Sequence, residues 1–318
     1  MSRRYGALLL ILGSYATVLL ILLPHLPLWL DEVLNVIGAR KPTISDSIDY
    51  VATNSGGVPL GYLLQRLSIQ LLGFSEFSAR LPSILSSIAA AYGLFRLAER
   101  LQMRRPLATV LLFCLLPLQW RYALEARPYA MALALSVWST ILFLDVLRAP
   151  TMQRACCYTL VLTAGLYTNP YSFFVAIAQV SWLLLHRRAF KPTALLAIPS
   201  IALSGLLFLP WYLYARSGWI AGLTPSGHTP AIKTVELIAK EVVGAGYIGT
   251  AVVLLLAWLG WRKQRIHSPN DASLLATCFL LPFPMVLAGN FAFHYFLASR
   301  QFLFVLPPLC LLAAYAHK

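Results

Sequence analysis

The sequence predicts an all-α protein that crosses a membrane about ten times. Three observations carry this. Of the 318 residues, 59% are hydrophobic and only 11% are charged, where a soluble domain carries about a quarter. Apolar runs of about 17–22 residues recur along the whole chain. The bases gather in short clusters at alternate ends of those runs, as cytoplasmic loops do. No polar segment is long enough for a separate soluble domain, so residues 1–318 read as one membrane domain. The net charge of +14 fits membrane orientation rather than nucleic-acid binding.

Span 1 is expected over Gly6 to Leu23. Arg3 and Arg4 precede it, which puts the N-terminus in the cytoplasm. No small-x-small site follows, so the run does not read as a cleaved signal. Residues 24–76 form a first outer loop. Within it, Pro59 to Phe74 is apolar but short and carries Gln65, Arg66 and Gln70, which suits a helix lying in the interface. Span 2 covers Phe77 to Leu97, and Arg96, Arg100, Arg104 and Arg105 close it on the cytoplasmic side. Span 3 covers Leu107 to Trp120 and emerges at "RYALEARPY". Span 4 runs from Tyr129 to Leu147, with Arg148 and Arg154 after it. Spans 5 and 6, Cys156–Tyr167 and Tyr171–Leu185, turn outside at "TNPY". Arg187, Arg188 and Lys191 follow inside. Span 7 covers Thr193 to Tyr214, and residues 215–241 form a second outer loop. Span 8 covers Val242 to Trp261, span 9 Ser273 to Phe293 and span 10 Phe302 to Tyr315, with Lys318 inside.

By this topology most of the 25 lysines and arginines lie inside and most of the 11 acids outside. Acids carry little topological information, so their gathering on one face suggests chemistry there. The five cysteines show no CxxC or Cys/His spacing and read as small apolar residues. The six histidines form no HExxH. Neither set suggests a metal.

Asp31 and Glu32 are adjacent, just where the chain leaves span 1. Neighbours on a helix point about 100° apart. One carboxylate is therefore free to react while the other shapes the start of the next helix. The structural alternative is a helix start, since acids favour the first turn. Glu125 and Arg127 stand before span 4, with Pro128 at its first turn. Arg127 offers a fixed fork for a phosphate; the alternative is an interfacial arginine that snorkels or pairs with Glu125. Tyr129 and Arg300 lie at the same outer boundary. Tyr167, Asn169 and Tyr171 crowd one turn, where aromatics commonly form an interface belt.

"LWLDE", "GGVPLGYLLQRLSIQLLGFSEFSARLPSIL", "YALEARPYAMAL", "LYTNPYSFF" and "SRQFLFVLPPLCLLAA" occur in that order. Together they resemble the GT-C membrane glycosyltransferases of the protein-mannosyltransferase type (family 39), in the bacterial branch that includes lipopolysaccharide and aminoarabinose transferases. The chain departs from the family at "VPLGY", where "PPLYY" is common, and at Asn169-Pro170, where a histidine is common.

The resemblance implies transfer of a sugar from a polyprenyl-phosphate carrier to a lipid, glycan or protein acceptor. The implied place is the periplasmic face of a bacterial inner membrane. Asp31 falls at the family's first-loop acid, the expected base, with Glu32 beside it. Arg127 and Arg300 are expected to hold the donor phosphate. Glu125 would orient Arg127 or meet the sugar, with Tyr129 beside it. The scheme needs no metal, cofactor or nucleotide site. The rival reading is a transporter or a lipid-linked-sugar flippase; such proteins place ionisable groups at mid-membrane and repeat their halves, and no second "LWLDE" or "ARPY" appears here. A non-catalytic scaffold is a third reading.

Overall fold

The computed structural model describes residues 3–53, 57–190, 192–222, 231–241, 243–293 and 299–316. Every regular element among the described residues is helical. Helix α1 is Arg3–Leu22, followed by the loop-end helices α2 (Leu30–Ala39), α3 (Ile44–Thr53) and α4 (Pro59–Leu72). Helix α5 is Glu76–Arg100, and α6 (Pro106–Leu115) and α7 (Pro117–Ala123) follow it. Then come α8 (Tyr129–Arg148), α9 (Met152–Thr168), α10 (Phe173–His186), α11 (Ala197–Gly222) and α12 (Ala231–Glu241). The last are α13 (Gly246–His267), α14 (Pro269–Leu280), α15 (Pro282–Phe293) and α16 (Leu306–Tyr315), the last preceded by a 3₁₀ stretch, Ser299–Val305.

Local chemistry sets many of these limits. Ser75 caps α5 by accepting the Ser78 N–H at 3.1 Å, and Ser78 Oγ accepts the Ser75 N–H at 3.0 Å. Prolines open α4, α6, α7 and α14, where the missing N–H costs nothing. Asn169 ends α9, and its Oδ1 accepts the Tyr171 N–H at 3.0 Å, so "TNPY" is a turn between two helices. Pro117 breaks the third expected span: α6 and α7 meet at 71°.

Among the described residues, five stretches are long and apolar enough to cross a membrane: Arg3–His25, Glu76–Arg100, Tyr129–Arg148, Ala197–Gly218 and Pro269–Gly289. Counting the bent α6–α7 pair as one span makes six among the described residues by length and composition, so the expected count of about ten is matched only in part. Helices α9 and α10 are 17 and 14 residues long, and α16 has 10. The last turns of α13 carry Arg262, Lys263 and Arg265. In the segment expected as the second outer loop, α11 continues to Gly222 and α12 ends it, while residues 223–230 lie outside the described residues, as do Lys191 and Lys318.

Helix α8 sits at the centre with most of its residues buried, whereas α1 is peripheral and mostly exposed. Helices α5 and α8 touch closely at Gly93, where a Cβ would stand 2.9 Å from Val137. One end of the bundle gathers α2, α3, α4, the 124–128 turn and Arg300. The opposite, basic end holds the Arg100–Asp145 ion pair, with Arg148 donating to the Arg100 carbonyl at 2.7 Å.

Helix α4 wears its amphipathicity inside out. Gln65, Arg66, Ser68 and Ile69 are buried, while Leu64, Leu67, Leu71 and Leu72 are exposed. Gln65 and Arg66, which the sequence reading took as signs of an interfacial helix, in fact point inward. The Arg66 guanidinium donates to the carbonyls of Ala39, Lys41 and Pro42 and to Ser47 Oγ, tying the α2–α3 connection down.

Candidate active site

The turn Leu124–Pro128 between α7 and α8 is held from three helices. Glu32 of α2 accepts the Ala126 N–H at 2.6 Å. Gln65 of α4 donates to the Ala126 carbonyl at 3.2 Å and to the Ala79 carbonyl at 3.0 Å. Ser83 of α5 donates to the Arg127 carbonyl at 2.9 Å. Gly61 lets α4 approach: a Cβ there would stand 2.6 Å from Pro128 Cβ. An aromatic side chain at that position, as in "PPLYY", has no room in this chain.

The turn delivers Arg127 to Asp31. The two form an ion pair through Arg127 Nη1 and Asp31 Oδ2. Arg300, from the 3₁₀ stretch before α16, brings its Nη1 to 3.6 Å from the same oxygen. Gln301, next in the chain, donates to the Tyr171 hydroxyl at 3.2 Å, which links the "TNPY" turn to this segment. Asp31, Arg127 and Arg300 are 30%, 21% and 29% exposed, so a ligand can reach all three. The Arg127 guanidinium also lies over the buried Tyr129 ring, 5.1 Å from its centroid, a favourable cation–π position.

Asp31 and Glu32 part company, as neighbours on a helix should. Glu32 is buried and meets Arg80 of α5 at two points, 2.9 Å to Nε and 2.8 Å to Nη2. It also accepts the Trp29 N–H at 3.1 Å, closing the first turn of α2. The helix-start role thus belongs to Glu32, while Asp31 faces two guanidinium groups. Arg80 further donates to the carbonyls of Leu26 and Pro27. The chain leaving α1 is therefore stapled to α5.

Arg127 forms its ion pair with Asp31, while Glu125 feels the Arg127 charge with no ion pair between them among the described residues. Glu125 is buried and lines a cleft of about 370 Å³ with Leu22, Leu26, Trp29, Trp120, Arg121 and Leu124. Burial raises its carboxyl to about 7, against the opposing charge of Arg127.

Arg80, Gln65 and Ser83 were not assigned from sequence. Arg80 had a signal: it is a cation near the start of the expected span Phe77–Leu97, away from the basic cluster that begins at Arg96, and such a residue is a functional candidate by default. Gln65 and Ser83 had none, because neither residue type is unusual at a helix surface. Among the described residues no three His, Cys, Asp or Glu side chains gather as a metal-ligand group.

The family model for dolichyl-phosphate-mannose-protein mannosyltransferases matches residues 56–214. That stretch contains Arg80, Glu125, Arg127 and Tyr129. Asp31, Glu32 and Arg300 lie outside it. No curated protein matches the chain.

Proposed function

The chain belongs to the dolichyl-phosphate-mannose-protein mannosyltransferase family and is a membrane glycosyltransferase; on that premise we propose that it moves a sugar from a polyprenyl-phosphate carrier to a hydroxyl or amine acceptor on the non-cytoplasmic face. The observation that carries this reading is Asp31 between Arg127 and Arg300, three residues from three distant parts of the chain.

The charges fit the chemistry. Two guanidiniums against one carboxylate leave one positive charge in excess. A sugar joined to a polyprenyl phosphate is a phosphodiester and carries one negative charge. As the bond from the anomeric carbon to the phosphate oxygen breaks, the carrier becomes a phosphate monoester, which approaches two negative charges at neutral pH. Fixed cations aimed at the oxygen where charge develops lower the barrier. The acceptor O–H or N–H forms the new bond to the anomeric carbon, and Asp31 takes its proton. A bound phosphate would share the two guanidiniums with Asp31. Its carboxylate is thereby freed to act as base only when the donor is present.

Glu32, Arg80, Gln65 and Ser83 would act as positioning residues. They hold the Asp31 and Arg127 segments at fixed spacing, which well-placed reactants need. The apolar side of the cleft beside Glu125, formed by Leu22, Leu26, Trp29, Trp120 and Leu124, suits the lipid part of a substrate.

A second assignment of the base is favoured by one observation. Glu125 is buried, and its carboxyl is raised to about 7, near the ideal for a general base at neutral pH. In that variant Asp31 orients the arginines and Glu125 takes the proton.

The test is turnover by the purified full-length chain, with a panel of polyprenyl-phosphate sugars and release of the carrier as the readout. Carrier release that depends on Asp31, Arg127 and an added acceptor is the expected result. No release with any donor, from protein shown to be folded, would overturn the reading.

A further inference from the structure

At the basic end, far from Asp31, a cleft opens between three segments distant in sequence: the α5–α6 turn, the last turn of α13 and the end of α16. Arg104, Arg105, Lys263 and His267 line it, with Met103 and Tyr315 as apolar walls. Among the described residues no carboxylate lines it. We propose that this cleft binds the phosphate headgroup of an anionic phospholipid.

The turn that presents Arg104 and Arg105 is fixed. Gln102 takes a left-handed conformation (φ 52°), and the Met103 N–H closes back on the Ala98 carbonyl at 2.9 Å, a helix-ending motif that aims the next residues away from the helix axis. Both arginines are exposed and neither forms an ion pair among the described residues. Lys263 donates to the Ala316 carbonyl, and an ammonium group has two further N–H donors. His267 packs against the Tyr315 ring at 6.5 Å.

The position selects a lipid rather than a dissolved anion. The cleft lies at the end of α5, one of the helices able to cross a membrane. On neighbouring turns of α13, Arg262 lies over the Trp258 ring at 4.9 Å and Arg265 over the Trp261 ring at 5.4 Å. Indoles and arginines paired this way sit at the depth of lipid headgroups. Basic pockets between membrane helices bind anionic headgroups on this logic, and each nearby base adds to the attraction. Met103 and Tyr315 offer an apolar surface to the glycerol and the start of an acyl chain.

The test is binding to the purified full-length protein in neutral detergent. Three probes are added separately: phosphatidylglycerol, phosphatidylcholine and inorganic phosphate. Native mass spectrometry counts bound lipid, and the unfolding midpoint reports stabilisation. Phosphatidylglycerol should bind and stabilise, and the other two should not. The R104Q/R105Q double variant should keep its lipid-free midpoint and lose affinity for phosphatidylglycerol by about tenfold to thirtyfold. The R187Q/R188Q double variant removes two exposed bases elsewhere and should lose little. Equal loss in both variants would make the effect a diffuse surface charge and overturn the site. Equal stabilisation by phosphatidylcholine or by inorganic phosphate would overturn the anionic-lipid assignment.

Discussion

Glu32 and Arg80, on α2 and α5, meet in a two-point ion pair with side chains only 1% and 2% exposed. Glu32 also accepts the Ala126 N–H at 2.6 Å, and Arg80 holds the carbonyls of Leu26 and Pro27. One buried pair thus joins the chain after α1, the start of α5 and the turn before α8. Breaking such a pair from one side leaves an uncompensated buried charge, which costs about 3–5 kcal/mol. Arg80→Ala and Glu32→Ala should each lower the unfolding midpoint sharply. Glu32→Gln keeps the shape and should do less. Circular dichroism melts in detergent would check this order.

Asp31→Asn keeps the shape of the side chain and removes its basicity. Turnover per folded molecule should fall by about 10²–10⁴-fold, while donor binding stays nearly intact. Near-normal turnover would move the proton to Glu125. Glu32→Gln should cost less turnover than Asp31→Asn, since Glu32 points away from the two arginines.

Arg127→Ala and Arg300→Ala should weaken donor binding and turnover together, because a phosphate contact exists in both ground and transition states. A hydrogen bond to a charged group is worth about 1.5–3 kcal/mol, or roughly tenfold to over a hundredfold in affinity. Arg127 should cost more than Arg300, since it is less exposed and forms the closer ion pair with Asp31. Titration with a non-hydrolysable phosphonate donor separates the binding loss from the rate loss.

Glu125 predicts a pH effect on stability. Its carboxyl rises from 4.5 to about 7 in the fold because of burial. The folded state therefore favours the protonated form. This contribution is fully present below pH 4.5 and is lost as pH rises through about 7. It amounts to at most about 3 kcal/mol. The wild-type midpoint should fall across that window, and Glu125→Gln should flatten the fall. A turnover profile with an apparent pKa near 7 that vanishes in Glu125→Gln would favour Glu125 as the base. An unchanged profile leaves Asp31.

Orientation is tested by labelling. Ser45 and Arg188 are exposed and belong to opposite sides in the proposed topology. In sealed cells, Ser45→Cys should react with an impermeant thiol reagent and Arg188→Cys should not. The five native cysteines are first replaced. The reverse pattern would place Asp31 in the cytoplasm.

Much of this was legible in the sequence, for a physical reason. Hydropathy reports directly on long apolar helices, and α1, α5 and α8 lie within a few residues of expectation. It reports poorly on helices shorter than a bilayer, and the spans expected at α9, α10 and α16 rest on helices of only 17, 14 and 10 residues. Proline at 117 could signal a break but not its 71° angle. The junction of Asp31, Arg127 and Arg300 could be suspected only through family resemblance, because no local pattern joins positions so far apart. Gln65 and Arg66 misled because polarity on a short helix reads as exposure to water. Their real partners are backbone carbonyls that the sequence does not display.

The excess of one positive charge around Asp31 has a price on the far side of the reaction. A site tuned to a phosphate gaining charge also grips the spent carrier more tightly than the fresh donor. Under the transferase reading, the slow event is then escape of the bare carrier rather than breakage of the sugar bond. Accumulated carrier in the bilayer would compete with donor for the same two guanidiniums. The protein's throughput would then follow how fast the membrane reloads its carrier pool with sugar.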